Sequence, residues 1–201
     1  MAMAKKIGII GKGNVGSALA RGLERAGYEV RAVGNDEAAI AATTSWAEVV
    51  LLAVPFGALD EVLQHAGAAL AGKTLIDATN ALDASMNLAV GFATSGAEEL
   101  QKKLPESRVV KAFNTVFAQH MDSGRLGEMA LTAFVAGDDA EPKTAVLEMA
   151  RRIGFDAVDA GPLTNARLLE PLAFFNIQLG YVLGMGTQIG FKLLHAPKGE
   201  K

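Results

Sequence analysis

Three glycines in the pattern Gly11-x-Gly13-x-x-Gly16 form the segment of the chain best suited to bind a ligand. They follow an apolar run, Ile7–Ile10, and precede an amphipathic segment, Asn14–Ala26, so the pattern lies between a predicted strand and a predicted helix. In that context Gly11 permits a tight turn, Gly13 lets the backbone approach a pyrophosphate, and Gly16 allows close packing of helix on strand. The free N–H groups at the start of a helix attract phosphate. The pattern and its surroundings therefore predict a dinucleotide-binding loop.

The residues after the second predicted strand bear on which nucleotide binds. A carboxylate there binds the ribose 2′-hydroxyl of NAD, whereas the 2′-phosphate of NADP needs space and hydrogen-bond donors or cations. Gly34 leaves space, Asn35 can donate, and Lys12 can reach a phosphate from the glycine loop. Asp36 and Glu37 favour NAD if they point inward, although acidic residues also favour the start of a helix. We expect NADP(H), with NAD as the alternative.

Short apolar runs alternate with amphipathic segments along the chain, which is typical of a parallel sheet covered by helices. About fifteen residues separate the second strand from Val49, too few for the usual strand and helix, so the third strand of a mononucleotide-binding half is expected to be missing or vestigial. The fold predicted is α/β: a Rossmann-type, doubly wound, mostly parallel sheet with a shortened region between its second and third strands and C-terminal helices packed on it. Besides the first strand and helix, the predicted elements are strands at Tyr28–Val33, Val49–Val54, Thr74–Asp77, Arg108–Ala112, Leu131–Ala136 and Ala157–Asp159, and helices at Ala58–Leu70, Ser95–Leu104 and Glu141–Ile153.

The C-terminal part contains an uncharged segment, Pro171–Phe191, that is long enough to span a bilayer. Polar residues and the Gly184-Met185-Gly186 turn interrupt it, so we expect no membrane span. Apolar residues at helical spacing predict a helix with one buried face instead, made of Leu168, Leu172, Phe175, Leu179 and Val182. We divide the chain into a nucleotide-binding domain, residues 1–160, and a helical segment, residues 161–201, that completes a second-substrate site and forms a dimer interface.

Composition excludes several classes of function. The 19 basic residues against 22 acidic ones give a formal charge of -3, with no basic surplus to bind a nucleic-acid backbone. The chain has no cysteine, so disulfides, thiolate catalysis and cysteine-ligated metals are absent. The apolar run after Lys6 is too short for an export signal. We therefore expect a cytoplasmic protein with a small-molecule partner, no nucleic acid and no membrane association.

Several stretches beyond the glycine loop resemble one known family, the NADP oxidoreductases that depend on coenzyme F-420, a deazaflavin, and their bacterial dinucleotide-binding relatives. The resemblance covers nearly the whole chain. The matching stretches are Ile7–Gly16, Leu51–Gly57, Ile76–Asn80, Val109–Thr115, Val135–Asp139, Asp159–Leu163, Asn165–Pro171 and Gly184–Leu194.

The resemblance implies a role for each part of the nucleotide site. The glycine loop would hold the pyrophosphate, and the residues after the second strand would contact the adenosine ribose. Ala53–Phe56 and Thr79–Asn80 would line the cofactor site towards the nicotinamide, and Asn114–Ala118 would contact the nicotinamide itself. The nucleotide-binding residues implied are Gly11, Lys12, Gly13, Asn14, Val15, Gly34, Asn35, Asp36, Ala53, Val54, Pro55, Phe56, Thr79, Asn80, Asn114, Val116 and Ala118. Family members often carry a basic pair where this chain has Asn35-Asp36-Glu37, which keeps NAD open as the alternative.

A second substrate is implied as well. Family members transfer a hydride between stacked nicotinamide and deazaflavin rings, usually as homodimers. Asn114 and the turn made by Gly184, Met185 and Gly186 would flank this second ring. A methionine between two glycines fits poorly in a regular helix, which leaves its backbone free to approach a flat ring.

Acid–base groups are sparse. The three histidines lie far apart without metal-ligand spacing, so we predict no metal site. We expect Lys111 to be a solvated lysine at a strand end and Asp77 to form a turn, with His120 as a minor candidate. No catalytic acid or base is predicted, because hydride exchange between two rings needs orientation more than proton delivery.

We therefore predict an NADP(H)-dependent oxidoreductase that exchanges a hydride with a flat redox cofactor, a deazaflavin such as coenzyme F-420 or a flavin. Two alternatives remain open. One is an imine or carbonyl reductase, in which Lys111, His120 or Asn114 would supply a proton or orient the substrate. The other is a sensor that binds the dinucleotide without turnover.

Overall fold

A computed structural model describes residues 5–196 of the chain. Within them, seven strands form one sheet in the order β2-β1-β3-β4-β5-β8-β9, and two short strands, β6 and β7, form a separate hairpin. The strands are β1 Lys6–Ile10, β2 Glu29–Val33, β3 Val49–Leu52, β4 Thr74–Asp77, β5 Arg108–Lys111, β6 Arg125–Leu126, β7 Met129–Ala130, β8 Thr132–Gly137 and β9 Asp156–Asp159. The helices are α1 Asn14–Arg25, α2 Glu37–Trp46, α3 Leu59–Ala66, α4 Gly96–Lys103, α5 Ala140–Ile153 and α6 Ala166–Ile177. Residues 1–4 and 197–201, the outer ends of the two predicted units, lie outside this description.

Helices cover both faces of the sheet, as a doubly wound fold requires. On one face, α1 and α5 pack on the strands through residues such as Leu19 and Val146. On the other face, α2, α3 and α4 bury residues such as Ile40, Val62 and Leu100. The first five strands of the order, β2 to β5, are parallel, so their carboxyl ends meet at one edge. The predicted fold class is confirmed.

The shortened region between β2 and β3 contains a helix, which the sequence did not reveal. α2 fills the space with ten residues, and β1 pairs directly with β2 and β3 on its two sides. Ser45 lies in the last turn of α2 and donates a hydrogen bond to Ala41 O. No further strand lies between β2 and β3 in the described chain, in agreement with the expected loss of one strand.

The sheet changes direction at β8. This strand runs antiparallel to β5 and parallel to β9. The connection from β5 contains the β6–β7 hairpin and no α-helix, so β8 does not return by the right-handed helical crossover that joins parallel strands.

The C-terminal segment differs from the helical unit expected. α6 continues as a π-helical turn, Gln178–Val182, and ends at Gly184 and Gly186, which adopt left-handed φ angles of 73° and 71°. Glycine is the residue that ends a helix in this conformation without steric cost. Beyond it the chain is irregular and runs beside β8, where Thr132 N donates to Phe191 O.

The buried side of α6 differs from the one predicted, and of the predicted stripe Leu172 and Leu179 are half-buried. Leu169, Glu170, Ala173 and Asn176 are buried. In contrast, Leu168 and Phe175, two members of the predicted apolar stripe, are 64% and 52% exposed. No helix within residues 5–196 is long and apolar enough to cross a bilayer.

Candidate dinucleotide site

The glycine loop is crowded at two of its glycines and open at the third. A Cβ atom on Gly11 would lie 2.2 Å from Ala53 O, and one on Gly16 would lie 1.8 Å from Gly11 O. A Cβ atom on Gly13 would meet no atom within 4 Å. Gly13 is also the N-cap of α1, and no side chain caps the helix there. The first and last glycines are therefore required by the fold, whereas the space at Gly13 is available to a ligand.

One cavity of about 260 Å³ extends from the glycine loop towards the end of β2. The predicted residues Lys12, Gly34 and Asn35 line it. Asp36 does not: its carboxylate accepts a hydrogen bond from Ala39 N at 2.7 Å and caps α2. Sequence reasoning missed the far wall, which comes from α2 and from the segment around α3 and consists of Ile40, Ala58, Glu61, Val62 and His65.

A second cavity of about 350 Å³ adjoins the first at Gly13 and at residues 53–57, the loop that follows β3, which we name the β3 loop. The two cavities share Gly13, Ala53, Val54 and Pro55, so together they make one long cleft across the carboxyl ends of the strands. The predicted residues Asn14, Val15, Phe56, Thr79 and Asn80 line its second half. This is the place and shape that a dinucleotide requires in a Rossmann fold.

Two buried polar atoms near the second half of the cleft have no hydrogen-bond partner among the described residues. Thr79 Oγ1 belongs to the lining, whereas Asn114 Oδ1 belongs to a predicted residue that lines neither half and lies behind Asn80. Asn114 Nδ2 is used twice: it donates to Asn80 Oδ1 at 3.2 Å and to Leu169 O at 3.0 Å. The residue before it, Phe113, is buried with a left-handed φ of 68°. Strained backbone of this kind is concentrated at functional sites. A buried oxygen without a donor is costly, and the carboxamide or ribose of a nicotinamide nucleotide offers donors of the right kind.

Lys111 and Asp77 occupy positions quite unlike the solvated and turn-forming ones predicted. Both are fully buried, and Lys111 Nζ lies 2.9 Å from Asp77 Oδ2 and 2.8 Å from Glu170 Oε1. Glu170 in turn accepts hydrogen bonds from Gly96 N and Ala97 N at the start of α4. Burial opposes the charge on Lys111, but the two carboxylates outweigh it and raise the pKa of its ammonium group. The predictions for Lys111 and Asp77 were wrong because the three members of this cluster lie far apart in the sequence, in β4, β5 and α6.

This ion cluster fixes the backbone of the cleft. Thr79 N donates to Asp77 Oδ1 at 2.9 Å, and Thr79 O accepts from Lys111 Nζ at 2.8 Å. Both ends of one residue in the cleft wall are thus bound to charged, buried groups. Because such groups hold their geometry tightly, the cluster places the free hydroxyl of Thr79.

The remaining predicted residues lie around the cleft without lining it. Val116 is buried, and Ala118 lines a neighbouring groove that also contains Asn14. The turn Gly184–Gly186 is exposed and lines neither half of the cleft. His120 Nε2 faces Thr187 O at 3.0 Å. The structure thus assembles the nucleotide residues, and it does not bring the predicted second-substrate turn into contact with the cleft.

Comparison with known proteins agrees with this geometry. Residues 6–81 match the family model for coenzyme F-420-dependent NADP oxidoreductases. The F-420-dependent NADP reductase of Methanothermobacter marburgensis is 32% identical over 164 residues, which cover 78% of this chain and 70% of that protein. The chain belongs to the coenzyme F-420-dependent NADP oxidoreductase family. The family description agrees with the predicted class of enzyme, a nicotinamide-nucleotide-dependent oxidoreductase.

Two further relatives support the family assignment. A solved structure from Arthrobacter sp. FB24, described as an F-420-dependent NADP reductase, superposes with a TM-score of 0.87 at 31% identity and covers 96% of this chain and 100% of that one. Rat metalloreductase STEAP3 is 33% identical over 183 residues, which cover 84% of this chain. The chain spans only 36% of the length of that metalloreductase.

Proposed function

We propose that this family member binds NADPH in the long cleft and transfers its hydride to a flat redox ring, a deazaflavin such as coenzyme F-420 or a flavin. The observation that supports this most directly is the chemistry of the second half of the cleft. Asp83 is the one residue with an ionisable side chain among those that line it. Its Oδ1 already accepts hydrogen bonds from Ser85 N and Asn87 N.

The groups able to donate a proton to a carbonyl or imine substrate are engaged elsewhere. Lys111 is buried between two carboxylates, and His120 faces a backbone carbonyl. A positioned acid contributes about 10²–10⁴-fold to rate. In the second half of the cleft Asp83 is the one candidate, and its engagement with Ser85 N and Asn87 N favours a reaction that needs no acid. Hydride exchange between two aligned rings is such a reaction, because its main requirement is orientation.

When bound, NADPH would supply a hydride, which carries two electrons and leaves NADP⁺, and water would supply the proton that completes the reduced acceptor ring. The chain's own residues position the nucleotide. Gly13 and the uncapped start of α1 receive the pyrophosphate. Thr79 Oγ1 and Asn114 Oδ1 would accept hydrogen bonds from the nicotinamide half. Orientation of reactants by groups such as these contributes several kcal/mol, up to about 7–11.

The adenosine half of the cleft supports NADP over NAD. Asp36, the acidic residue placed nearest the end of β2, caps α2 and does not line the cavity, so the carboxylate that usually binds the 2′-hydroxyl at this place is turned away. The carboxylate that does line the cavity, Glu61 of α3, lies 3.8 Å from His65 Nε2. Lys12 and His65 line the cavity, and His65 Nδ1 lies 3.6 Å from Glu37 Oε1 beside the start of α2. We propose that these two groups receive the 2′-phosphate.

The test is an acceptor panel followed by loss of nicotinamide absorbance. The protein is mixed with NADPH or NADH and with riboflavin, FMN, a 5-deazaflavin, ferricyanide, a quinone, a cyclic imine or a simple ketone. We expect rapid oxidation of NADPH with at least one ring acceptor and a flat pH–rate profile near neutrality. Tight binding of the nucleotide without oxidation by any acceptor would indicate a dinucleotide sensor. A bell-shaped pH–rate profile with an imine or carbonyl substrate would indicate a reductase of that class. A tenfold preference for NADH would refute the NADP assignment.

We also propose that the chain forms a homodimer through the exposed side of α6 and the π-helical and glycine turns that follow it. Leu168, Phe175, Val182, Leu183 and Met185 are all more than half exposed there. Apolar patches of this kind on soluble domains commonly mark interfaces, and two copies of one patch can pack through a two-fold axis. Light scattering should give the mass of a dimer for the wild type and of a monomer for Phe175→Asp. A monomeric wild type would contradict the proposal.

A further inference from the structure

The loop after β4 carries an unusual residue at the rim of the cleft. Met86 lines the second half of the cleft together with Leu82 and Asp83, yet its side chain is 52% exposed. Its φ angle is 63°, in the left-handed region that residues with a Cβ rarely adopt. Such strain persists only where the surroundings enforce it.

The surroundings of Met86 are built to enforce that conformation. Asp83 Oδ1 accepts from Ser85 N at 2.8 Å and Asn87 N at 2.9 Å, and Asp83 N donates to Asn87 O at 2.8 Å. Leu82 and Leu88 pair across the base of the loop. Residues 81–89 therefore form a small braced loop, which we name the rim loop, with Met86 near its tip.

The other walls of this half of the cleft have the character of a nucleotide site. They consist of the glycine loop, the β3 loop and Thr79–Asn80, which offer backbone, hydroxyl or amide groups. Met86 differs because it offers a flexible, polarisable thioether. Thioethers make favourable contacts with aromatic rings and adapt to their shape.

We propose that Met86 is a binding residue for the second redox substrate, with its side chain packing on the flat ring that enters the open end of the cleft. This rests on the proposed function and adds to it a contact that the sequence did not indicate. It places one wall of the acceptor site on the rim loop. The ring contributes the aromatic surface, and the rim loop keeps the thioether in place before the ring arrives.

Two variants of Met86 separate ring binding from folding. Met86→Gly relieves the left-handed strain and removes the side chain, so we expect no loss of thermal stability together with at least a fivefold weaker affinity for the acceptor. Met86→Leu keeps an apolar side chain of similar volume and should restore acceptor affinity to within threefold of the wild type. The matched control is Met129→Ala, because Met129 is another exposed methionine, on the β6–β7 hairpin, and lines neither half of the cleft.

The measurement is titration of riboflavin, FMN and a 5-deazaflavin into protein saturated with NADP⁺, by calorimetry, together with KM in the turnover assay. NADPH affinity should be equal in all four proteins. Equal acceptor affinity in Met86→Gly and Met129→Ala would overturn the inference while the proposed function stands, as would a loss of NADPH affinity confined to Met86→Gly. Ring binding without turnover in the wild type would overturn the proposed function alone and leave the binding comparison decisive. Failure of every ring to bind the wild type would overturn both.

Discussion

Replacing Gly13 by alanine separates the binding role of the glycine loop from its role in folding. The backbone at Gly13 has φ −77° and ψ −165°, which any residue adopts, and the new Cβ would meet no atom within 4 Å. Removing glycine's freedom in the unfolded chain stabilises a protein by about 0.4–1 kcal/mol. Alanine is a poorer N-cap than glycine by about 0.5–1 kcal/mol. The two effects nearly cancel.

Folding stability in Gly13→Ala should therefore stay within about 0.5 kcal/mol of the wild type, a shift in Tm of no more than about 1–2 °C for a chain of this size. Binding should respond differently, because the Cβ enters the space through which the pyrophosphate approaches the backbone. We expect the Kd for NADPH to rise at least about tenfold, or 1.4 kcal/mol. Thermal unfolding without nucleotide and calorimetric titration with NADPH measure the two quantities separately.

Gly16→Ala is the matched control, since it makes the same chemical change three residues away. Its Cβ would lie 1.8 Å from Gly11 O, so backbone atoms must move. Overpacking of this severity costs about 3 kcal/mol or more, which lowers Tm by roughly 6–12 °C. NADPH affinity within twofold of the wild type in Gly13→Ala would refute the assignment of the pyrophosphate to this loop, and a Tm loss equal to that of Gly16→Ala would refute the distinction between the two glycines.

Three further outcomes follow from the buried and capping groups. Lys111→Met should lower the free energy of unfolding by about 3–5 kcal/mol, because it leaves two carboxylates buried without their cation. The control, Lys102→Met, removes an exposed ion pair and should change the free energy of unfolding by less than about 1 kcal/mol. Urea unfolding measures both variants, and equal effects would contradict the buried pairing. The pKa of Lys111 is raised above its ordinary value of 10.5. The stabilisation by the charged lysine is therefore fully present below pH 10.5 and is lost as the pH rises through the higher pKa of the folded state. The difference in stability between the wild type and Lys111→Met should shrink at that alkaline pH, and parallel stability profiles would contradict this. Asp36→Ala should cost about 0.5–2 kcal/mol through loss of the α2 cap while NADPH affinity stays within twofold, and a large loss of affinity would show that Asp36 contacts the ribose after all.

The parts of the fold that were predictable are those with local signals. The strand before Gly11 and the helix after it follow from an apolar run and a 3.6-residue period, and α5 and β4 from the same kind of pattern. α2 was missed because its residues are mostly alanine and threonine with little periodic contrast. The predicted residues that line the cleft lie at the ends of predicted strands or in the loops that follow them, which is why a sequence pattern could indicate them. The lining from α2, α3 and residues 82–86 carries no such signal.

The orientation of α6 could not be predicted because the decisive interaction is not apolar. Both sides of this helix carry leucine and phenylalanine, so hydrophobic contrast alone favours the side with Leu168 and Phe175. Glu170 determines the buried side instead, because its carboxylate contacts Lys111 and the start of α4 and the residue is 1% exposed. In a sequence pattern, a glutamate indicates the side of a helix that faces solvent. Only the arrangement of β4, β5 and α4 in space shows that Glu170 pairs with a buried lysine and with two backbone N–H groups.

The same cluster connects the stability of the fold to the second half of the cleft. Lys111 binds both Glu170 of α6 and the carbonyl of Thr79, and Asn114 donates to Leu169 O, one residue before Glu170. A change that loosens α6 should therefore disturb Thr79 and Asn114, which we propose contact the nicotinamide, before it disturbs the glycine loop. Mutations in α6 are accordingly expected to weaken the orientation of the nicotinamide, seen in the rate of hydride transfer, more than the affinity for the nucleotide as a whole.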